Sequence, residues 1–140
     1  MNWLGWALLS AMFAGITAIL AKLGVTGVDS NLATAVRTVV ILVFAWAVYF
    51  ATAPGRHLFQ LTGRNWLFLI LSGIATGLSW LCYFRALQLG EASRVAPVDK
   101  LSVVFAIALA AIILKEHIGW QHWLGGAFIV TGAILLALKS

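Results

Sequence analysis

Residues 95–114 read VAPVDKLSVVFAIALAAIIL, and apart from Pro97, Asp99, Lys100 and Ser102 every side chain in that run is apolar. A helix of twenty residues, rising ~1.5 Å each, covers roughly 30 Å, the thickness of a bilayer's hydrocarbon core. Outward from it, four further stretches have the same character: 3–22, 32–51, 66–87 and 120–138. Arg37 falls inside the second span, and Asp99 with Lys100 inside the fourth. A charge in that position is expensive in hydrocarbon and by default marks a pathway or a binding site.

The composition excludes an ordinary soluble domain. Hydrophobic residues make up 63% of the chain and charged residues 9%, against ~45–50% and ~25% in soluble proteins. The apolar runs are continuous and not alternating, which selects helices over a β-barrel, since each span must satisfy its own backbone in lipid. The connections at 24–31, 52–65, 88–94 and 115–119 are too short to fold separately. The expected fold is an all-α membrane protein, a single domain over 1–140 with five transmembrane helices. The first span has no basic region before Trp3, lacks a cleavage site and is too long for a signal-peptide core, so it is read as part of the mature protein.

Several chemistries find no support. The net charge of +5 comes from cations scattered at span ends, with no stripe that could track a phosphate backbone, so the expected partner is the lipid bilayer and not nucleic acid. Cys82 is alone, which rules out an intramolecular disulfide. His117 and His122 are five apart, wrong for one helical face, and His57 sits in another loop, so no metal site is expected. There is no phosphate-binding glycine loop and no acid–base pair on a common soluble face. Neither a cofactor nor catalytic residues are expected, and the chain is not read as an enzyme.

Five spans put the termini on opposite sides of the membrane. One side, X, carries Lys22, Arg85, Arg94 and Lys139; the other, Y, carries Arg56, Arg64 and Lys115. Four against three is a weak bias under the positive-inside rule, and it leaves open either one topology or insertion in both orientations. Trp3, Trp6, Trp66, Trp120 and Trp123 fall at side Y ends, as an aromatic belt requires, whereas Trp46 and Trp80 lie deeper and are expected to pack between helices or face lipid.

The second and fourth helices both start from side X. Arg37 and Asp99 each lie about five residues in, roughly 6–9 Å below the interface, which permits an ion pair if the helices are close. Lys100 points about 100° away from Asp99 around a regular helix and is expected either to snorkel toward side X or to face a polar cavity. Pro97 lies in the first turns of the fourth helix, with Ser93 as its expected N-cap; a kink there is allowed but not required. Thr34 stands with Arg37 on the second helix, Ser72, Thr76 and Tyr83 on the third, and Ser102 with Asp99 on the fourth. At helical spacing such residues form polar stripes, which in lipid turn toward other helices or a wet cavity. The fifth helix, with Gly125, Gly126 and Gly132, is expected to be a scaffold.

The run ALQLGEASRVAP at 86–97 resembles the junction between the third and fourth helices of the EamA domain. The stretch 103–114, followed by Lys115-Glu116 and by WLGGAFIVTG at 123–132, resembles that domain's ending, and residues 6–22 are similar to its first helix. The resemblance spans essentially the whole chain and points to the short five-helix bacterial and archaeal group of the drug/metabolite transporter superfamily. It implies localisation in a prokaryotic inner membrane. Most EamA proteins hold two such domains in inverted orientation, so one copy implies an antiparallel homodimer of ten helices. The chain departs from the long members at Asp99-Lys100, where those commonly carry uncharged residues.

The expected function is a secondary transporter of small polar metabolites or drugs by alternating access, with export as one direction open to it. Arg37, Asp99, Lys100, Thr34, Ser72, Thr76, Tyr83 and Ser102 are the candidate substrate or ion path. Proton exchange at Asp99 and anion binding by Arg37 and Lys100 both remain open as mechanisms. The alternative is a non-transporting membrane subunit that assists a larger complex.

Overall fold

A computed structural model describes residues 2–52 and 61–138. Arg56, His57 and Lys139, which enter the loop reading above, lie outside the described residues. The helices are α1 (Trp3–Val25), α2 (Ser30–Thr52), α3 (Gly63–Leu89), α4 (Ala92–Asp99), α5 (Ser102–Leu109) and α6 (Trp120–Ala137). A π-helical turn, Ala110–Leu114, continues α5. Since α4, α5 and this turn form one apolar run, Ala92–Leu114, the described residues hold five helical segments long and apolar enough to cross a membrane.

Two helices, α2 and α3, start earlier than their apolar runs, and polar side chains cap both. Asp29 Oδ1 accepts the N–H groups of Asn31 at 2.9 Å and Leu32 at 3.0 Å, so α2 begins at Ser30 and not at 32. Asn2 Oδ1 accepts from Gly5 N–H at 3.0 Å, and Thr62 Oγ1 from Asn65 N–H at 3.3 Å. Each satisfies one of the donors that a helix start leaves over.

Between α1 and α2 the backbone turns at Gly27, whose φ of +75° is left-handed. A Cβ there would meet nothing within 4 Å, so the demand for glycine is one of backbone conformation alone. Gly27→Ala is therefore expected to cost ~1–2 kcal/mol, the penalty of the left-handed region. Thermal unfolding in detergent checks this, and an unchanged midpoint would mean that the turn relaxes to another shape.

The fourth span departs most from expectation. Glu91, not Ser93, occupies the N-cap position of α4, extended and with no capping hydrogen bond from its side chain. Its Oε2 instead meets Arg94 Nε at 3.2 Å. Pro97 has no N–H to give to the Ser93 carbonyl, and two residues further on the α-helical register is lost. Lys100 N–H bonds to Pro97 O at 3.1 Å and Leu101 N–H to Val98 O at 3.0 Å, tighter i to i+3 bonds that continue from Val103 and Val104 to the Lys100 and Leu101 carbonyls. The break thus falls on the charged residues. At the far end, Lys115 turns the chain out with a left-handed φ of 54°.

The chain forms two compact units, one from residues 1–23 and 89–140, the other from 24–88. In the first unit α4 and α5 pack on α6. Gly126 of α6 is buried there, and a Cβ at that position would come within 3.8 Å of Val104 Cγ2 of α5. Lys22 Nζ, at the end of α1, donates to the Gly90 carbonyl at 2.8 Å.

In the second unit the buried residues gather at one end: Val25, Ser30, Thr34, Phe84 and Leu87. Gln88 Nε2 donates to the Val28 carbonyl and its Oε1 accepts from Arg85 Nη1 at 2.9 Å, tying the end of α3 to the turn before α2. Farther along, the large apolar side chains from Val39 to Phe50 and from Trp66 to Leu78 are exposed. Such an expanse requires lipid or another helix to cover it.

Candidate functional site

Arg37 is seven residues from the start of α2, about 10 Å along its axis. Its guanidinium carbon lies 4.5 Å from the centroid of the Trp80 ring and 5.4 Å from that of Phe84. Trp80 and Phe84 are four residues apart on α3 and so share a face. They stand nine and five residues before Leu89, so the aromatic surface lies at the depth of the cation because α2 enters and α3 leaves at the same end of the unit. A cation on aromatic faces gains roughly 2 kcal/mol or more when desolvated.

Nearby hydroxyls are committed to the backbone. Thr34, buried, donates to the Ser30 carbonyl at 2.8 Å, and Thr38 to the Thr34 carbonyl at 2.8 Å. Their oxygens keep accepting capacity but no free proton. Tyr83 is half-buried beside Phe84. Ser72 and Thr76 are exposed one turn apart, and Thr76 Oγ1 donates to the Ser72 carbonyl at 2.9 Å.

The remaining candidates belong to the first unit. Lys100 Nζ meets Asp99 Oδ2 at 3.3 Å, and Ser102 is exposed just beyond. The expected divergence of Lys100 from Asp99 holds for a regular helix; at the break after α4 the two neighbours pair instead. The sequence candidates therefore fall into two groups. Thr34, Arg37, Ser72, Thr76 and Tyr83 lie in the second unit, and Asp99, Lys100 and Ser102 in the first. Within the second unit Arg37 is partnered by aromatic rings, and within the first Asp99 is partnered by Lys100.

Trp80 and Phe84 were not among the sequence candidates, yet their four-residue spacing and matched depth against Arg37 were available signals. The other deep tryptophan, Trp46, is exposed and makes its ring contacts within α2, stacking on Phe50 at 5.6 Å and meeting Tyr49 edge-on at 5.7 Å.

Five apolar spans, with an arginine held among aromatic rings inside one and a charged pair at the break of another, define an integral membrane protein. The chain belongs to the EamA-like transporter family, whose model matches residues 1–138. It is 53% identical over 137 residues, 98% of this chain and 97% of the relative, to an uncharacterised transporter in the cobO 3' region of a Sinorhizobium species. A probable 4-amino-4-deoxy-L-arabinose-phosphoundecaprenol flippase subunit ArnE of Pseudomonas fluorescens is 34% identical over 74 residues, which is 52% of this chain and 62% of that protein. An uncharacterised protein of Methanocaldococcus jannaschii is 30% identical over 71 residues, 51% of this chain and 52% of that one. No solved structure matches.

Proposed function

We propose that the protein is a secondary transporter that moves small polar molecules by alternating access, working as an antiparallel pair of five-span chains in a prokaryotic inner membrane. The family match over residues 1–138 carries this reading. The Sinorhizobium relative, matched over 97% of its own length, supports a working unit of one EamA-length chain. Arg37, Asp99 and Lys100 are the charged members of the path, with Thr34, Ser72, Thr76, Tyr83 and Ser102 lining it. The protein carries out no covalent chemistry on its cargo.

The test is orientation and flux. Reporter fusions at the C-terminus should show both cytoplasmic and external populations, because the described side X cations Lys22, Arg85 and Arg94 barely outweigh Arg64 and Lys115. Adding two lysines to the loops of one side should fix a single orientation and lower transport several-fold. A single orientation at native expression level would defeat the antiparallel pair.

A second reading has its own support: the ArnE relatives are named as flippase subunits, which makes a larger assembly the alternative. In that case the chain purified alone would be inactive, hold one orientation, and tolerate neutral residues at Arg37 and Asp99. Solute uptake by the chain reconstituted alone would exclude it.

A further inference from the structure

We infer that Arg37, held on the Trp80–Phe84 surface, is the recognition residue for an oxyanion, a phosphate or carboxylate group, on the molecule transported. The inference rests on the transporter reading and names its substrate class.

Charge accounting is the starting point. Among the described residues the ion pairs are Arg94 with Glu91 and Lys100 with Asp99, and Arg37 is in neither. Its partners at 4.5 and 5.4 Å are aromatic faces, which attract a cation without neutralising it. A full positive charge some 10 Å along a membrane helix is costly in a unit whose one acidic residue, Asp29, caps the start of α2, and a bound anion lowers that cost.

Geometry supplies the second step. The ring contacts at 4.5 and 5.4 Å anchor the guanidinium carbon of Arg37. The group's five N–H donors lie in one plane, and two of them form a fork that matches an oxyanion in two parallel bonds. Lysine would present a point charge without that fork. Arg37 is only half-buried, so a ligand can reach it. A purely structural staple between α2 and α3 could be built of apolar side chains alone, without a cation in the span.

An oxyanion can arrive from water or on a lipid headgroup, and the exposed apolar faces of α2 and α3 beyond Arg37 leave room for an attached chain. The test therefore has two arms, on protein in phosphatidylcholine nanodiscs at matched ionic strength. In one, glycerol 3-phosphate or succinate is added to the buffer; in the other, phosphatidic acid is mixed into the disc. The thermal midpoint should rise by several degrees in at least one arm, because a ligand that binds only the folded state stabilises it. The rise should vanish in Arg37→Gln, shrink in Arg37→Lys, and persist in Arg64→Gln, which loses the same charge elsewhere in the second unit.

No rise in either arm with folded wild-type protein overturns the inference, as does an equal rise in Arg37→Gln. If Arg37→Gln does not fold, Arg37→Lys decides: apparent affinity at least tenfold weaker supports the assignment, and unchanged affinity refutes it. Flux of a neutral or cationic solute with no anion response would refute the oxyanion site and leave the transporter reading standing. An Arg37-dependent rise in a protein that moves no solute would do the reverse.

Discussion

Arg37→Ala and Trp80→Ala are each expected to lower the stability of the detergent-solubilised protein by about 2–3 kcal/mol, and the double variant to lose ~1–2 kcal/mol less than their sum. The first loses a desolvated cation–π contact of roughly 2 kcal/mol and the stem packing beneath it. The second loses the ring that holds the cation; complete burial would put Trp→Ala at ~3–5 kcal/mol, and half-burial of Trp80 reduces this. Non-additivity is the diagnostic quantity, because only residues that share an interaction couple by more than ~0.5 kcal/mol. Additive losses would mean that the 4.5 Å contact contributes little. Phe84→Ala should couple more weakly to Arg37→Ala, its ring centroid being farther from the guanidinium at 5.4 Å, while its own loss is larger because Phe84 is buried.

The membrane class was readable from the sequence for a physical reason: a span must satisfy its own backbone and face lipid, so continuous hydropathy suffices to find it. All five spans stand where the apolar runs lie. Their ends were less legible because helices extend into polar sequence when a cap is present, as Asp29 shows for α2. The break after Asp99 was half visible, since Pro97 permits a kink without saying where the register yields. The pairing of Asp99 with Lys100 depends on that break and could not follow from ideal helical angles. The setting of Arg37 needed a contact between α2 and α3, and residue-type reasoning looked first for a carboxylate. Equal depth alone favoured Trp80 as strongly as Asp99.

Whether the polar stripes line a watery path or simply pack helices is decided by cysteine chemistry, with an expected rate contrast of about a hundredfold. Single cysteines replace Thr76, Ser102 and Ile129 in a Cys82→Ala background, which removes the chain's exposed native thiol. All three positions are exposed on the isolated chain, so exposure alone does not separate water from lipid. A charged, water-borne thiol reagent does separate them: Ile129 lies at the centre of α6, bringing a charge into the middle of a bilayer costs ~3 kcal/mol on insertion scales, and each 1.36 kcal/mol is a factor of ten in rate. Cysteines at 76 and 102 should react at rates near that of a loop cysteine, and the one at 129 some hundredfold more slowly. Protection of the first two by a transported solute would place it on the stripe of Thr76 and Ser102. Inertness of both in a correctly folded protein would make the stripes packing surfaces and leave Arg37 to act without them.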